Sequence, residues 1–158
     1  MSTMTAVASN PVPETPQHRA AITRRIQSET GLDEATLERL VRAFYSAARH
    51  DAEIGSLFDG VADWEAHIAK ITAFWSSVAL LTGRYHGQPM AAHAPLPLEP
   101  QHFRRWLALF EQTARRFCTE QGAAHLMDRA HRIANGLAMG VAVSRGELPS
   151  QVGASSIE

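Results

Sequence analysis

Gly87 to Phe110 reads GQPMAAHAPLPLEPQHFRRWLALF. Of its two histidines, His93 stands just before a connection carrying Pro95, Pro97 and Pro100. Proline fixes φ, lacks an N–H and pushes its predecessor out of the helical region, so no helix runs through that connection. Beyond it Phe103, Trp106, Leu107 and Phe110 resume helical spacing. His93 therefore ends a helical piece of at most one or two turns, pinned on its far side by prolines. That is an odd place for a core histidine and a good one for a single axial ligand.

Upstream, the chain divides into apolar stripes. Met1 to about Gln17 is rich in Ser, Thr, Pro and Ala without periodicity, so residues 1–20 are expected to form a disordered extension. His18–Glu29 suits a short amphipathic helix on Ala21, Ile22 and Ile26, ended by Gly31. Asp33 is an N-cap with Glu34 in the first turn, and Leu37, Leu40, Val41, Phe44, Tyr45 and Ala48 follow at 3.6 spacing. Asp51–Gly60 reads as a loop anchored by Ile54, Leu57 and Phe58. A third helix runs from about Asp63 to Leu81 on Trp64, His67, Ile68, Ile71, Phe74, Trp75 and Val78, with Gly83 marking its end.

Downstream, a fourth helix starts near Pro100, a position that suits a first turn. Gly122 is expected to separate it from the last helix, whose stripe runs from Leu126 through Ala130, Ala134 and Leu137 to Val141. Residues 146–158 read as a flexible tail, leaving one domain over 21–145. No segment alternates with period 2, so the class is all-α. Four such helices make an ordinary bundle, except for the roughly 20-residue proline-rich connection between the third and fourth. Its composition is that of a loop wrapped against something.

The 158 residues are 45% hydrophobic and 20% charged, enough for one core. A net charge of −1 provides no basic surface for nucleic acid. One cysteine, Cys118, excludes an internal disulfide and a multi-cysteine zinc site, and no HExxH or CxxC motif occurs. No apolar run reaches the roughly 18–20 residues of a membrane span, and the N-terminus lacks a signal-peptide layout. A cytoplasmic protein is expected. Of the 15 basic residues only Lys70 is a lysine.

The marks that stand out are, in order, Phe44-Tyr45, Phe58, Trp64-x-x-His67-x-x-Lys70-Ile71-x-x-Phe74-Trp75, Gly87-Gln88-Pro89-x-x-x-His93, Leu96-Pro97 and His102-Phe103-x-Arg105-Trp106-Leu107-x-Leu109-Phe110. At this spacing the chain resembles the truncated haemoglobins, and within them the group III branch, from about Thr36 to Val143. The Phe74-Trp75 pair and the opening stretch are the most specific blocks. The resemblance implies a globin-like two-over-two helical sandwich enclosing haem b. It implies that His93 is the proximal iron ligand and that Tyr45, His67 and Trp106 line the distal side. It also implies binding of dioxygen or another diatomic gas. The alternative is nitric oxide or peroxide chemistry, with a reductase as partner, or a sensory or partner-binding helical module. Neither nucleic acid nor a membrane is expected as a partner.

Each residue has a plainer reading beside this one. Neutral imidazole is the usual axial ligand of haem iron, but a loop histidine such as His93 otherwise faces solvent. His67, Lys70, Ile71 and Phe74 lie at i, i+3, i+4 and i+7 and share one helix face. Alone, His67 reads as a satisfied core histidine; the resemblance makes it a gate, a distal donor or a sixth iron ligand. Lys70 is either solvated or a partner for a haem propionate. Tyr45 is an interface tyrosine or a distal donor, and Trp106, which offers only a donor, is a core tryptophan or a distal one. Phe44, Phe58, Ile71, Phe74, Leu96 and Phe103 are haem-wall or core residues. The junction SETGLDE has a single glycine where many truncated haemoglobins carry a pair, which favours ligand entry past His67 over a long apolar tunnel.

Overall fold

Helix starts are set by short polar side chains. Thr15, Asp33, Asp63 and Thr119 each accept a backbone N–H, from His18, Thr36, Ala66 and Gly122 respectively. The structure is a computed structural model and describes residues 15–147. Its helices are α1 (Pro16–Thr30), α2 (Glu34–Ala48), α3 (Trp64–Leu80), α4 (Pro89–His93), α5 (Pro100–Phe117) and α6 (Glu120–Ser144). A single 3-10 turn, Gly55–Phe58, lies between α2 and α3. No strand occurs among the described residues.

The helices form two layered pairs. α2 packs on α3, α5 packs on α6, and the pairs meet where α2 crosses α5 and α3 touches α6. α1 lies on α3 and α6, while the short α4 rests chiefly on α6. Leu37, Leu40, Leu80, Leu126 and Phe110 are fully buried where these elements converge. Removing each such side chain from water contributes roughly 1.5–3 kcal/mol.

Three expectations change. α1 begins at Pro16, two residues ahead of the expected His18, so residues 16–20 belong to the helix and not to the extension whose bound was set at 20, and 1–14 lie outside the described residues. Of the expected C-terminal tail only 146 and 147 are described. α3 stops at Leu80, one residue short of the expected Leu81, and it is Leu81 itself, in the left-handed region at φ 57, rather than Gly83, that ends it. Its last carbonyls are taken by other helices: Thr23 Oγ1 donates to Leu80 O at 2.6 Å and His125 Nε2 donates to Ala79 O at 2.8 Å. Gly122 does not separate α5 from α6. It sits in the first turn of α6, where a Cβ would stand 2.8 Å from the Thr30 carbonyl oxygen. The glycine is there for close approach to α1, and the break falls at Cys118–Thr119 instead.

Candidate functional site

A cavity of about 410 Å³ opens among α2, α3, α4, α5 and α6. α2 contributes Tyr45 and the 3-10 turn contributes Phe58. One face of α3 contributes His67, Lys70, Ile71 and Phe74, as the i, i+3, i+4, i+7 spacing requires. α4 brings His93, the proline connection brings Leu96, and α5 brings Phe103 and Trp106.

Phe44 is the one expected site residue that does not line the cavity. It is 2% exposed and packs edge-on behind Tyr45 and Trp106, with ring centroids 5.1 and 5.7 Å away. Adjacent helical positions do not face the same way, so only Tyr45 of the pair points inward. Trp106 is fixed by stacking: it lies 5.1 Å from Phe110 at 8°, and Phe110 lies 4.8 Å from Trp75 at 18°.

His93 is the last residue of α4, half-buried, with Nδ1 2.6 Å from the Pro89 carbonyl oxygen. A carbonyl only accepts, so Nδ1 carries the proton and Nε2 keeps its lone pair. His67 presents the complementary case. Its Nε2 is buried without any hydrogen-bond partner among the described residues. Its ring meets Tyr45 at 5.0 Å and Trp64 at 5.6 Å, both edge-on. Burial, then the Lys70 charge, then His93, hold the His67 pKa below its ordinary value, so the ring is neutral near pH 7. Burial pushes the Tyr45 hydroxyl far above its usual range, so the phenol keeps its proton and remains a donor. Lys70 stands exposed at the rim.

Some wall residues were not assigned to the site from sequence. Tyr85 lines the cavity and packs edge-on to Phe74 at 5.2 Å. It also explains the glycine of GQP, since a Cβ on Gly87 would stand 2.2 Å from Tyr85 Oη. His102 lines the cavity while its Nδ1 accepts the Glu99 N–H at 2.9 Å. That side chain caps α5, in keeping with a helix start at Pro100. Ile133 and Leu137 close the wall from α6. His86 is exposed and is not among the walls.

The arrangement is an apolar chamber with the His93 imidazole, a His67 Nε2 that has no partner among the described residues, a protonated phenol, an indole and a cation at its edge. The bacterial-like globin family matches residues 26–138. A group 3 truncated haemoglobin of Campylobacter jejuni is 34% identical over 110 residues, which span 66% of this chain and 87% of the relative. The crystal structure of group III truncated haemoglobin from Campylobacter jejuni matches with a TM-score of 0.63 and 32% identity, over 67% of this chain and 88% of that one. Sequence match, overall identity and shared helical architecture agree, and the chain belongs to the bacterial-like globins as a truncated haemoglobin of the group III branch, a haem protein that binds small gas ligands.

Proposed function

We propose that this globin binds dioxygen, or a diatomic gas of similar polarity, at haem b whose iron is held by His93. Tyr45, Trp106 and His67 form the ligand-side pocket. The observation that carries the reading is the Nδ1–H of His93 committed to the Pro89 carbonyl at 2.6 Å. That bond fixes the tautomer, orients the ring and raises the basicity of Nε2, as expected of an imidazole that serves as an axial ligand.

The residues fit the group on a second count. A buried nitrogen without a partner, His67 Nε2, is costly unless something in the chamber uses it. Haem, when bound, supplies an iron that takes a diatomic ligand on one face. The chain's own part is to orient and to donate. Tyr45, kept protonated by burial, donates its O–H toward an acceptor in the chamber. Trp106, locked in its stack on Phe110, donates its Nε1–H. Phe58, Ile71, Phe74, Leu96 and Phe103 keep the chamber apolar, which strengthens both donors. Lys70, on the same helix face as His67 but exposed, offers its ammonium to a haem carboxylate at the rim.

Kinetics test this directly. Tyr45→Phe and Trp106→Phe each remove one donor of roughly 1 kcal/mol, so each raises the dioxygen off-rate about fivefold by stopped-flow. His93→Gly abolishes the wild-type ferrous spectrum, and added imidazole restores it. Unchanged off-rates in both distal variants would overturn the pocket assignment. A wild-type spectrum in His93→Gly would overturn the proximal one.

A further inference from the structure

His93 sits on a helix of five residues. So short a helix has no stability of its own, and its position is dictated by what it leans on. That support is the C-terminal half of α6, and it acts on both sides of His93. Ahead of it, Met90 lies across Gly140: a Cβ there would stand 2.1 Å from Met90 Cε and 2.7 Å from Sδ. The bare Cα of Gly140 is thus the notch that receives the Met90 side chain, three residues before His93.

Behind it, Arg145 reaches back from the end of α6. Nη1 donates to the Leu98 carbonyl at 2.6 Å and Nη2 donates to the Leu96 carbonyl at 3.1 Å. The fork is held in turn by Glu99 Oε1, 3.5 Å from Nη1. Two hydrogen bonds complete the path to the site: Leu96 N–H donates to the His93 carbonyl at 3.0 Å, and Ala94 N–H donates to the Met90 carbonyl at 2.9 Å. A planar guanidinium gripping two carbonyls fixes both position and direction, which a point charge does not. The Arg145 side chain is about a quarter exposed, and its bond to the Leu98 carbonyl is the more shielded of the two.

We infer that Arg145 and Gly140 are positioning residues for His93: they set the depth and tilt of the imidazole by fastening the α4 segment to α6 before and after it. The inference rests on the proximal reading of His93. It adds Gly140 of α6 and Arg145 at the C-cap of that helix, which touch neither the ligand nor the imidazole. Arg145→Met keeps the aliphatic stem and removes the fork, and Gly140→Ala fills the notch and displaces a flexible side chain at small cost to the fold.

The measurement is resonance Raman of the ferrous, gas-free haem protein, reading the iron–histidine stretching band, together with the rate of haem loss to an excess acceptor globin. Both substitutions shift the band. Arg145→Met raises haem loss about tenfold, Arg145→Lys has an intermediate effect, and Met139→Ala, on an exposed side chain of the same helix, changes neither. In a His93→Gly background with imidazole supplied in solution, the ligand is no longer tethered to α4, and the same substitutions leave the band where it is. An unmoved band in Arg145→Met, in a protein that still unfolds cooperatively, overturns the inference, as does an equal shift in the untethered background. Should Gly140→Ala not fold, Arg145→Met carries the test alone. If His93→Gly itself keeps the wild-type band, the proximal reading fails, and that failure is distinct from an intact His93 band insensitive to Arg145.

Discussion

His67→Leu separates what the pocket does for ligands from what it costs the fold. At pH 8 the substitution has two opposed effects of similar size. It removes the buried, partnerless Nε2, whose desolvation costs roughly 1–3 kcal/mol. It also removes two edge-on ring contacts, to Tyr45 at 5.0 Å and Trp64 at 5.6 Å, each worth roughly 0.5–1.5 kcal/mol. Leucine keeps most of the apolar volume. Near-equal stability, within about 1 kcal/mol, is the expected result at pH 8. Acid breaks the tie. The unfolded chain takes up a proton on His67 at the ordinary value of 6.5, whereas burial, Lys70 and His93 hold the folded ring below it. The unfolded state then binds more protons, so wild-type stability is full above 6.5 and falls as the pH drops below it, by up to about 1.4 kcal/mol per pH unit. The fall ends once folded His67 itself titrates. His67→Leu lacks this slope. Urea unfolding of both haem-free proteins at several pH values from 8 to 5 reads the difference. A gap that stays flat across that range, or a variant several kcal/mol weaker at pH 8, refutes the reasoning.

Gly122→Ala gains up to about 1 kcal/mol of helix propensity but sets a Cβ 2.8 Å from Thr30 O and 3.2 Å from Leu32 Cδ2. A backbone carbonyl cannot retreat cheaply, so a net loss of about 1–2 kcal/mol is expected in urea; a stabilised variant would contradict the close approach. Asp51, with only 8% of its side chain exposed, accepts two bonds from Arg105 and the backbone N–H groups of Glu53 and Ile54. Chiefly the Arg105 guanidinium holds its carboxyl below the ordinary 3.8, so its contribution is present above that value and lost as the pH falls through the folded pKa. Asp51→Asn should cost about 2 kcal/mol at pH 7, and the difference from wild type should close in strong acid; a pH-independent cost would mean the charge is not what matters.

The stripes at 3.6 spacing and the short polar caps made α2, α3, α5 and α6 readable in advance, because those signals lie within one turn or one heptad of the residues they govern. The α3 face is the best example. His67, Lys70, Ile71 and Phe74 were placed on one side by spacing alone, and all four line one cavity. Misreadings fall where a residue answers to a partner far along the chain. Gly122 looks like a helix breaker until Thr30 is seen against it. Phe44 reads on paper as haem wall or core alike. Only the packing of Phe110 and Trp106 on one side decides that Phe44 is core and Tyr45 is wall.

The stretch from Gly87 to Phe110 shows why proximity along the chain is insufficient. It holds His93 and Trp106, and both line the same cavity, yet they are secured by unlike means. Trp106 belongs to an 18-residue helix and a three-ring stack, so its place is a property of the core. His93 belongs to one turn of helix between prolines, which rule out continuation but supply no attachment. The imidazole bond to Pro89 O orients the ring within α4 but cannot say where α4 lies. That second constraint has to come from outside the stretch, and the groups that meet it are a missing Cβ at Gly140 and a guanidinium at Arg145. Neither carries a local sequence signal. A glycine within a helical stripe and an arginine at a helix end are both ordinary, and their role follows only from the distances to Met90, Leu96 and Leu98.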